Sequence, residues 1–246
     1  CSGTVAGQPS FMALGDLPSA PIASNAHAVS ADGHVVVGIG NVSTSQFNIT
    51  GEGFRWTAAT GMIGLGDLAG GNTESVAYDV SGDGSVVVGE SSSSTGVTAF
   101  RWSIADGMTP LSDLPGGITS SRALAISMNG NVIVGTGVSG SGAQEACRWV
   151  GGNDPLGLGD LPGGGPYSAA FGASGNGSVI VGESHSSIGF QAFKWTEATG
   201  MVGLGGIVGG SGASRAQAVS ASGEVVVGSA NSSSGYDNAM RWSSLT

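Results

Sequence analysis

An all-β fold built from five repeats is predicted by three observations. Tryptophan occurs five times, at Trp56, Trp102, Trp149, Trp195 and Trp242, separated by 46, 47, 46 and 47 residues, and each follows a cation: Arg55, Arg101, Arg148, Lys194 or Arg241. A period of roughly 20 to 50 residues marks a solenoid, a propeller or an array, in which no unit buries its apolar face alone. Each unit also carries four short β-like blocks, the content of one propeller blade. Finally, the chain opens with an unaccompanied fourth block, Phe11 to Leu17, and ends just after the third block of the last unit, so one unit is split between the two ends. An N-terminal strand completing the last blade closes a ring and removes sheet edges. The predicted architecture is a five-bladed β-propeller of four-stranded blades over residues 11–246, preceded by an N-terminal arm, residues 1–10. The alternatives are a β-solenoid and a head-to-tail chain of propellers in which Phe11 to Leu17 completes the last blade of a neighbouring molecule.

The first block reads Ser-x-Ala-x-x-apolar-Ser, as in Ser24 to Ser30 and Ser75 to Ser81. Ala26, Ala77, Ala123, Ala170 and Ala216 make it the strand that fits the crowded axis of a small ring. The second block, Val35-Val36-Val37-Gly38 and its equivalents up to Val225-Val226-Val227-Gly228, is a β-branched run, as expected of a strand covered on both faces. Between these two blocks lie Asp32-Gly33, Asp83-Gly84, Asn129-Gly130, Asn176-Gly177 and Ser222-Gly223. Asp-Gly and Asn-Gly signal a hairpin, through a type I′ turn whose central residues both take positive φ. The third block carries the cation and the tryptophan. The fourth is Leu-Gly-Asp-Leu or a variant, holding Asp16, Asp67, Asp113 and Asp160, with Gly206 in the last unit. Glycine-rich stretches after it let the chain cross to the next unit.

Cation and tryptophan are adjacent in a strand, so they point to opposite faces and meet rings or carboxylates only across blades. Arg55, Arg101, Arg148, Lys194 and Arg241 are therefore expected against the tryptophan or the Asp16-type carboxylate of a neighbour. The four aspartates lie singly in apolar contexts, whereas calcium takes six to eight clustered oxygens, so a structural partner is expected and no metal. His27, His34 and His185 share neither a repeat position nor a metal-ligand spacing.

A net charge of −10 argues against nucleic acid, because phosphate neutralisation needs a cationic surface and only Arg122 and Arg215 remain outside the tryptophan motif. No apolar run reaches the roughly 18 residues of a membrane span. Cys147 takes the place of Phe54, Phe100, Phe193 and Met240 and reads as a small buried hydrophobe. Cys1, followed by Ser2 and Gly3, is a candidate for lipidation or a disulfide.

With its Gly-x-Val-Val-Gly-like and Leu-Gly-x-Leu-like blocks, the chain resembles the bacterial extracellular HAF-repeat proteins from Phe11 to Trp242. At the triplet that names the family it carries Thr98-Ala99-Phe100, Glu145-Ala146-Cys147 and Gln191-Ala192-Phe193. The resemblance implies an exported, repeat-built protein and supplies no catalytic residue.

No nucleophile elbow and no symmetry-breaking pair of carboxylates is legible, so neither catalysis nor a cofactor is expected. The expected function is that of a non-catalytic structural or adhesive protein of the cell exterior. It would associate with itself or a cell-surface polymer, as a filament or surface layer, with Cys1 as a lipid anchor in one variant of this reading. The alternative is a lectin-like propeller with glycan sites using polar loops and Tyr78, Phe171 or Tyr236. Irregular stretches, Cys1 to Ser10, Gly40 to Gly53 and Gly206, are where a function peculiar to this chain is expected.

Overall fold

The computed structural model describes residues 11–18, 23–45, 48–152 and 154–243. They form five antiparallel sheets in chain order and no helix. The first sheet holds β1 (Asn25–Val29), β2 (Val36–Ser45), β3 (Asn48–Thr57) and β4 (Gly61–Gly64). The second holds β5 (Gly70–Val80), β6 (Val86–Ser93), β7 (Gly96–Ser103) and β8 (Gly107–Pro110). The third holds β9 (Arg122–Ile126), β10 (Val132–Val138), β11 (Gln144–Val150) and β12 (Leu156–Gly157). The fourth holds β13 (Gly163–Ala173), β14 (Ile180–Ser186), β15 (Gly189–Thr196) and β16 (Gly200–Gly203). The fifth holds β17 (Ser214–Val219), β18 (Val225–Asn231) and β19 (Asp237–Ser243). Within every sheet each strand pairs with its chain neighbours, which is the plan of a propeller blade.

Each first strand carries a β-bulge at one repeat position, so that His27, Tyr78, Leu124, Phe171 and Gln217 are the extra residues. Opposite the bulge stands the glycine that ends each valine block. A Cβ at Gly38, Gly89, Gly135, Gly182 or Gly228 would collide with the backbone carbonyl of the paired first strand, which is why the run always ends in glycine. The bulge and this close approach together fix the register of strands one and two.

Three expectations are corrected. The Asp-Gly and Asn-Gly pairs do turn the hairpins, but only their glycines have positive φ, 76° at Gly33 and 71° at Gly84. The Gly33 N–H bonds the Ser30 carbonyl at 2.9 Å, so the turn is of type I form with glycine at its end, and type I′ is excluded. The Asp32 carboxylate accepts the Ser30 hydroxyl at 2.6 Å and the His34 N–H at 3.0 Å, which braces the turn from within. Second, the fourth strands are the short segments Gly61–Gly64, Gly107–Pro110, Leu156–Gly157 and Gly200–Gly203, and the Leu-Gly-Asp-Leu blocks that follow them are connections. Their leucines point into the next sheet: Leu65 and Leu68 pack with Phe100 and Trp102, and Leu158 and Leu161 with Phe193 and Trp195. Third, the described part of the N-terminus, residues 11–18, contains no strand, and the fifth sheet has three strands. Leu17 instead lies beside Gly40 and Met62 of the first sheet, in the place Leu68 takes on the second. Residues 1–10, including Cys1, lie outside the described residues.

The apolar interior is divided into four clusters, one between each pair of consecutive sheets. Val35 and Val37 of the first sheet meet Ala77, Val80, Val87, Phe100 and Trp102 of the second. Val86, Val88 and Ala99 likewise meet Ala123, Ile126, Ile133, Cys147 and Trp149 of the third. Alternation along the valine strand sends its outer two residues forward and its middle residue back. A sheet therefore has a forward face and a backward face, and each joint pairs one of each.

Candidate functional site

The repeated joint between sheets is the feature from which function is built. Besides its apolar cluster it has a polar ladder. The first serine of each unit reaches back to the sheet before: the N–H groups of Gly53, Ala99, Ala146 and Ala192 donate to the hydroxyls of Ser75, Ser121, Ser168 and Ser214 at 2.9–3.0 Å. Those hydroxyls are buried, and three of them donate in turn to the carbonyls of Gly66, Gly159 and Gly205. Hairpin turns are linked as well, through Ala31 N–H to Gly82 carbonyl at 3.0 Å, Gly82 to Met128 at 2.9 Å, Asn129 to Gly175 at 3.1 Å and Gly175 to Ala221 at 2.9 Å.

The tryptophan motif belongs to the same joints. Trp149 is fully buried and its Nε1–H donates to the Ser112 carbonyl at 2.8 Å; Trp102 and Trp195 are buried, while Trp56 and Trp242, on the two end sheets, are half-buried. The Arg148 guanidinium lies 4.5 Å over the ring of Trp195, and Lys194 Nζ lies 5.4 Å from that of Trp242. Lys194 also donates to the Gly223 carbonyl at 3.1 Å and Arg55 to that of Gly84 at 3.3 Å, both in the turn of the following sheet. Arg101 turns back to Asp106 of its own sheet at 3.6 Å, and Arg241 to the Ser243 hydroxyl at 3.4 Å. The aspartates do not meet these cations in the described ion pairs. Asp16 accepts the Ser24 hydroxyl at 3.0 Å, Asp67 and Asp113 border a groove of about 640 Å³ between the second and third sheets, and Asp160 is exposed. No group of three or more metal-ligating side chains occurs among the described residues.

At the two ends the joint is half made. On the forward face of the fifth sheet Val227 is 44% exposed and Ala239 is exposed, whereas their equivalents Val37, Val88, Val134 and Val181, and Ala99, Ala146 and Ala192, are all fully buried. On the backward face of the first sheet Val29 is 56% exposed and Ala26 is exposed, whereas Val80 and Ile126 are buried and Ala77, Ala123, Ala170 and Ala216 are fully so. The Ala221 N–H and the Ala31 carbonyl are the loose ends of the turn-to-turn ladder.

Two polar clusters interrupt the symmetry, each built round one glutamate–arginine pair across a joint. Glu90 of the second sheet pairs with Arg122 of the third, and the Tyr78 hydroxyl donates to Glu90 at 2.9 Å. Glu183 of the fourth sheet lies 3.7 Å from Arg215 of the fifth. Burial pushes the Glu183 carboxyl above its ordinary value, against Arg215, the Tyr167 hydroxyl and His185, which pull it down. These pairs put Arg122 and Arg215, the cations outside the tryptophan motif, opposite Glu90 and Glu183. The signal in the sequence was that the glutamate and the arginine each recur two repeats apart, in the same two joints. His27 is exposed, with Nδ1 2.8 Å from the Ala77 carbonyl and its ring stacked on Tyr78 at 6.0 Å. Of the aromatic residues named for a lectin, Tyr78 is held by Glu90, Phe171 lies under Arg215 at 4.2 Å, and Tyr236 is exposed on the last hairpin.

No family model matches the chain, and no curated protein matches it. Solved structures do. It superposes on TolB from Acinetobacter baumannii with a TM-score of 0.56 at 15% identity, covering 92% of this chain and 55% of that one. With a putative TolB from Agrobacterium tumefaciens the TM-score is 0.57 at 14% identity, over 92% and 78% of the two chains. With the β-propeller domain of the Trilobed protease from Pyrococcus furiosus, described as having an open velcro topology, it is 0.55 at 8% identity, over 91% and 69%. The chain thus spans little more than half the length of the Acinetobacter protein. At these identities the likeness shows the fold, a β-propeller.

Proposed function

We propose that this chain is a non-catalytic structural or adhesive propeller of the cell exterior or envelope, which builds a filament or surface layer by joining end to end. The observation that carries this reading is the pair of half-made joints. The forward face of the fifth sheet and the backward face of the first are the two halves of a contact the chain makes four times within itself. Two copies placed fifth sheet to first would bury Val227 and Ala239 against Ala26 and Val29, join Ala221 N–H to the Ala31 carbonyl and bring the Ser24 hydroxyl to the Ala239 N–H. Such a contact is heterologous, and heterologous contacts that do not close propagate into filaments. The acidic, lysine-poor composition and the HAF-repeat resemblance support an exported protein. The likeness to TolB propellers is compatible with an envelope setting.

Mixing two capped variants tests it. Val227→Asp blocks the forward end and Ala26→Arg the backward end, both at exposed positions. We expect the wild-type chain to grow with concentration in sedimentation and electron microscopy. Each variant alone should stay a monomer, and the mixture should stop at dimers. A wild-type chain that stays monomeric at all concentrations sinks the reading.

A further inference from the structure

We infer that the groove between the fourth and fifth sheets binds a neutral saccharide. Glu183 and Phe190 of the fourth sheet and Arg215, Gln217, Ser229 and Asp237 of the fifth line a space of about 450 Å³. That lies within the range of roughly 300–1,000 Å³ typical of small-molecule sites. Ordinary repeat packing does not produce it. At the same place between the first and second sheets, Gly51, Val76, Glu90 and Val97 stand where Phe190, Arg215, Ser229 and Asp237 stand here, and the cleft is about 110 Å³. Between the second and third sheets a backbone bridge from Val97 to Ser120 draws the strands together at this level. At this level the joint between the fourth and fifth sheets holds the Phe190 ring beside Arg215 and Asp237, and it is wider than its counterpart between the first and second sheets.

Phe190 and the Arg215–Glu183 pair are held in place before any ligand arrives. Phe190 packs edge-on to Tyr167 at 5.3 Å and against His185 at 4.1 Å, yet remains 42% exposed, a fixed ring with open surface. Arg215 is clamped between the Phe171 ring and Glu183 while nearly half of its side chain stays accessible. Fixed groups lose little entropy on binding.

Their chemistry selects the ligand class. Arg215 offers only donors, Glu183 and Asp237 only acceptors, and Gln217 both. An anion meets two carboxylates, and a cation has to compete with the Arg215 guanidinium already set against Glu183. A polyol satisfies the whole set, because each hydroxyl donates once and accepts as well. The aliphatic C–H face of a sugar ring covers the open side of Phe190 and removes apolar surface from water. This site does not depend on end-to-end joining, because its walls are two sheets of one chain.

The test uses the Val227→Asp chain, whose forward end is blocked, on an array of neutral and acidic glycans, followed by calorimetric titration with the best neutral oligosaccharide. We expect binding confined to neutral glycans. Phe190→Ala should weaken it tenfold or more with an unchanged melting curve, Gln217→Ala should weaken it less, and Val97→Ala should leave it intact. A flat array from folded protein, binding restricted to acidic glycans, or affinity that survives both Phe190→Ala and Gln217→Ala overturns the inference. Filament growth by the wild-type chain is scored separately, so either idea can fail alone.

Discussion

Asp79 takes the position held by Ala28, Ala125, Gly172 and Ala218 in the other units. Its carboxylate bonds the Val80 N–H at 2.8 Å through one oxygen and the Ile126 N–H of the third sheet at 2.9 Å through the other. Burial pushes its pKa above the ordinary 3.8, and the two donors only partly offset this. The folded state thus holds the proton more tightly than the unfolded chain. Stability from this group is fully present below 3.8 and is lost as pH rises through the folded value. Lowering the pH from about 6 to about 4 should raise the melting temperature of the wild type relative to Asp79→Asn. Parallel curves for the two proteins would contradict this. The sequence displays Asp79 as one acid among many, because nothing local shows that the next sheet will cover it. The cations teach the same lesson. Arg101 and Arg148 both precede the repeat tryptophan, but Asp106 follows Arg101 in its own hairpin and captures it, while Arg148 crosses to Trp195 and Glu197 of the fourth unit.

At the scale of the element, the valine block and its terminal glycine were legible, since a β-branched run between two turn signals has one plausible conformation. What the pattern does not display is the reason for the glycine, the bulge that brings a carbonyl of the first strand over its Cα. Gly135→Ala should therefore destabilise the protein by about 1–3 kcal/mol or more, since the collision is with backbone that no rotamer change relieves. Gly142→Ala, at an open hairpin turn where a Cβ meets nothing within 4 Å, should cost about 1 kcal/mol, from its positive φ alone. Urea denaturation of both variants decides, and equal losses would refute the register argument. The fourth strand was misplaced by one block for a physical reason. Leu-Gly-Asp-Leu carries two buried apolar residues and reads as a strand, but glycine with φ near 76–84° at Gly15, Gly66, Gly159 and Gly205 breaks it. Its leucines are anchors for the next sheet, while the true strand, Gly-Met-Ile-Gly in the first unit, is short, glycine-bounded and carries little pattern.

On the scale of the molecule, the repeat period specified sheets, order and joints, because a residue that recurs at each joint must appear at the repeat spacing. The state of the two ends was not legible, since the same strand inventory suits a closed ring and an end-to-end chain. The structure separates inner sheets, closed on both faces, from end sheets, closed on one. In an array held by nearest-neighbour contacts, the unit with one joint opens at lower free energy than units with two. The fifth sheet also has three strands, which leaves the far edge of β19 without a partner among the described residues. Amide exchange should therefore be slowest in β6, β10 and β14, which lie in sheets with both faces covered, and markedly faster in β18, although both β6 and β18 begin Val-Val-Val-Gly. End-to-end joining adds a second expectation, that protection of β18 and β1 rises with protein concentration while that of β10 does not, because only the end faces gain a neighbour. Val227→Asp should abolish the rise and leave the low-concentration pattern unchanged. Uniform protection across all five sheets at every concentration would show instead that the end faces are already covered in the free chain.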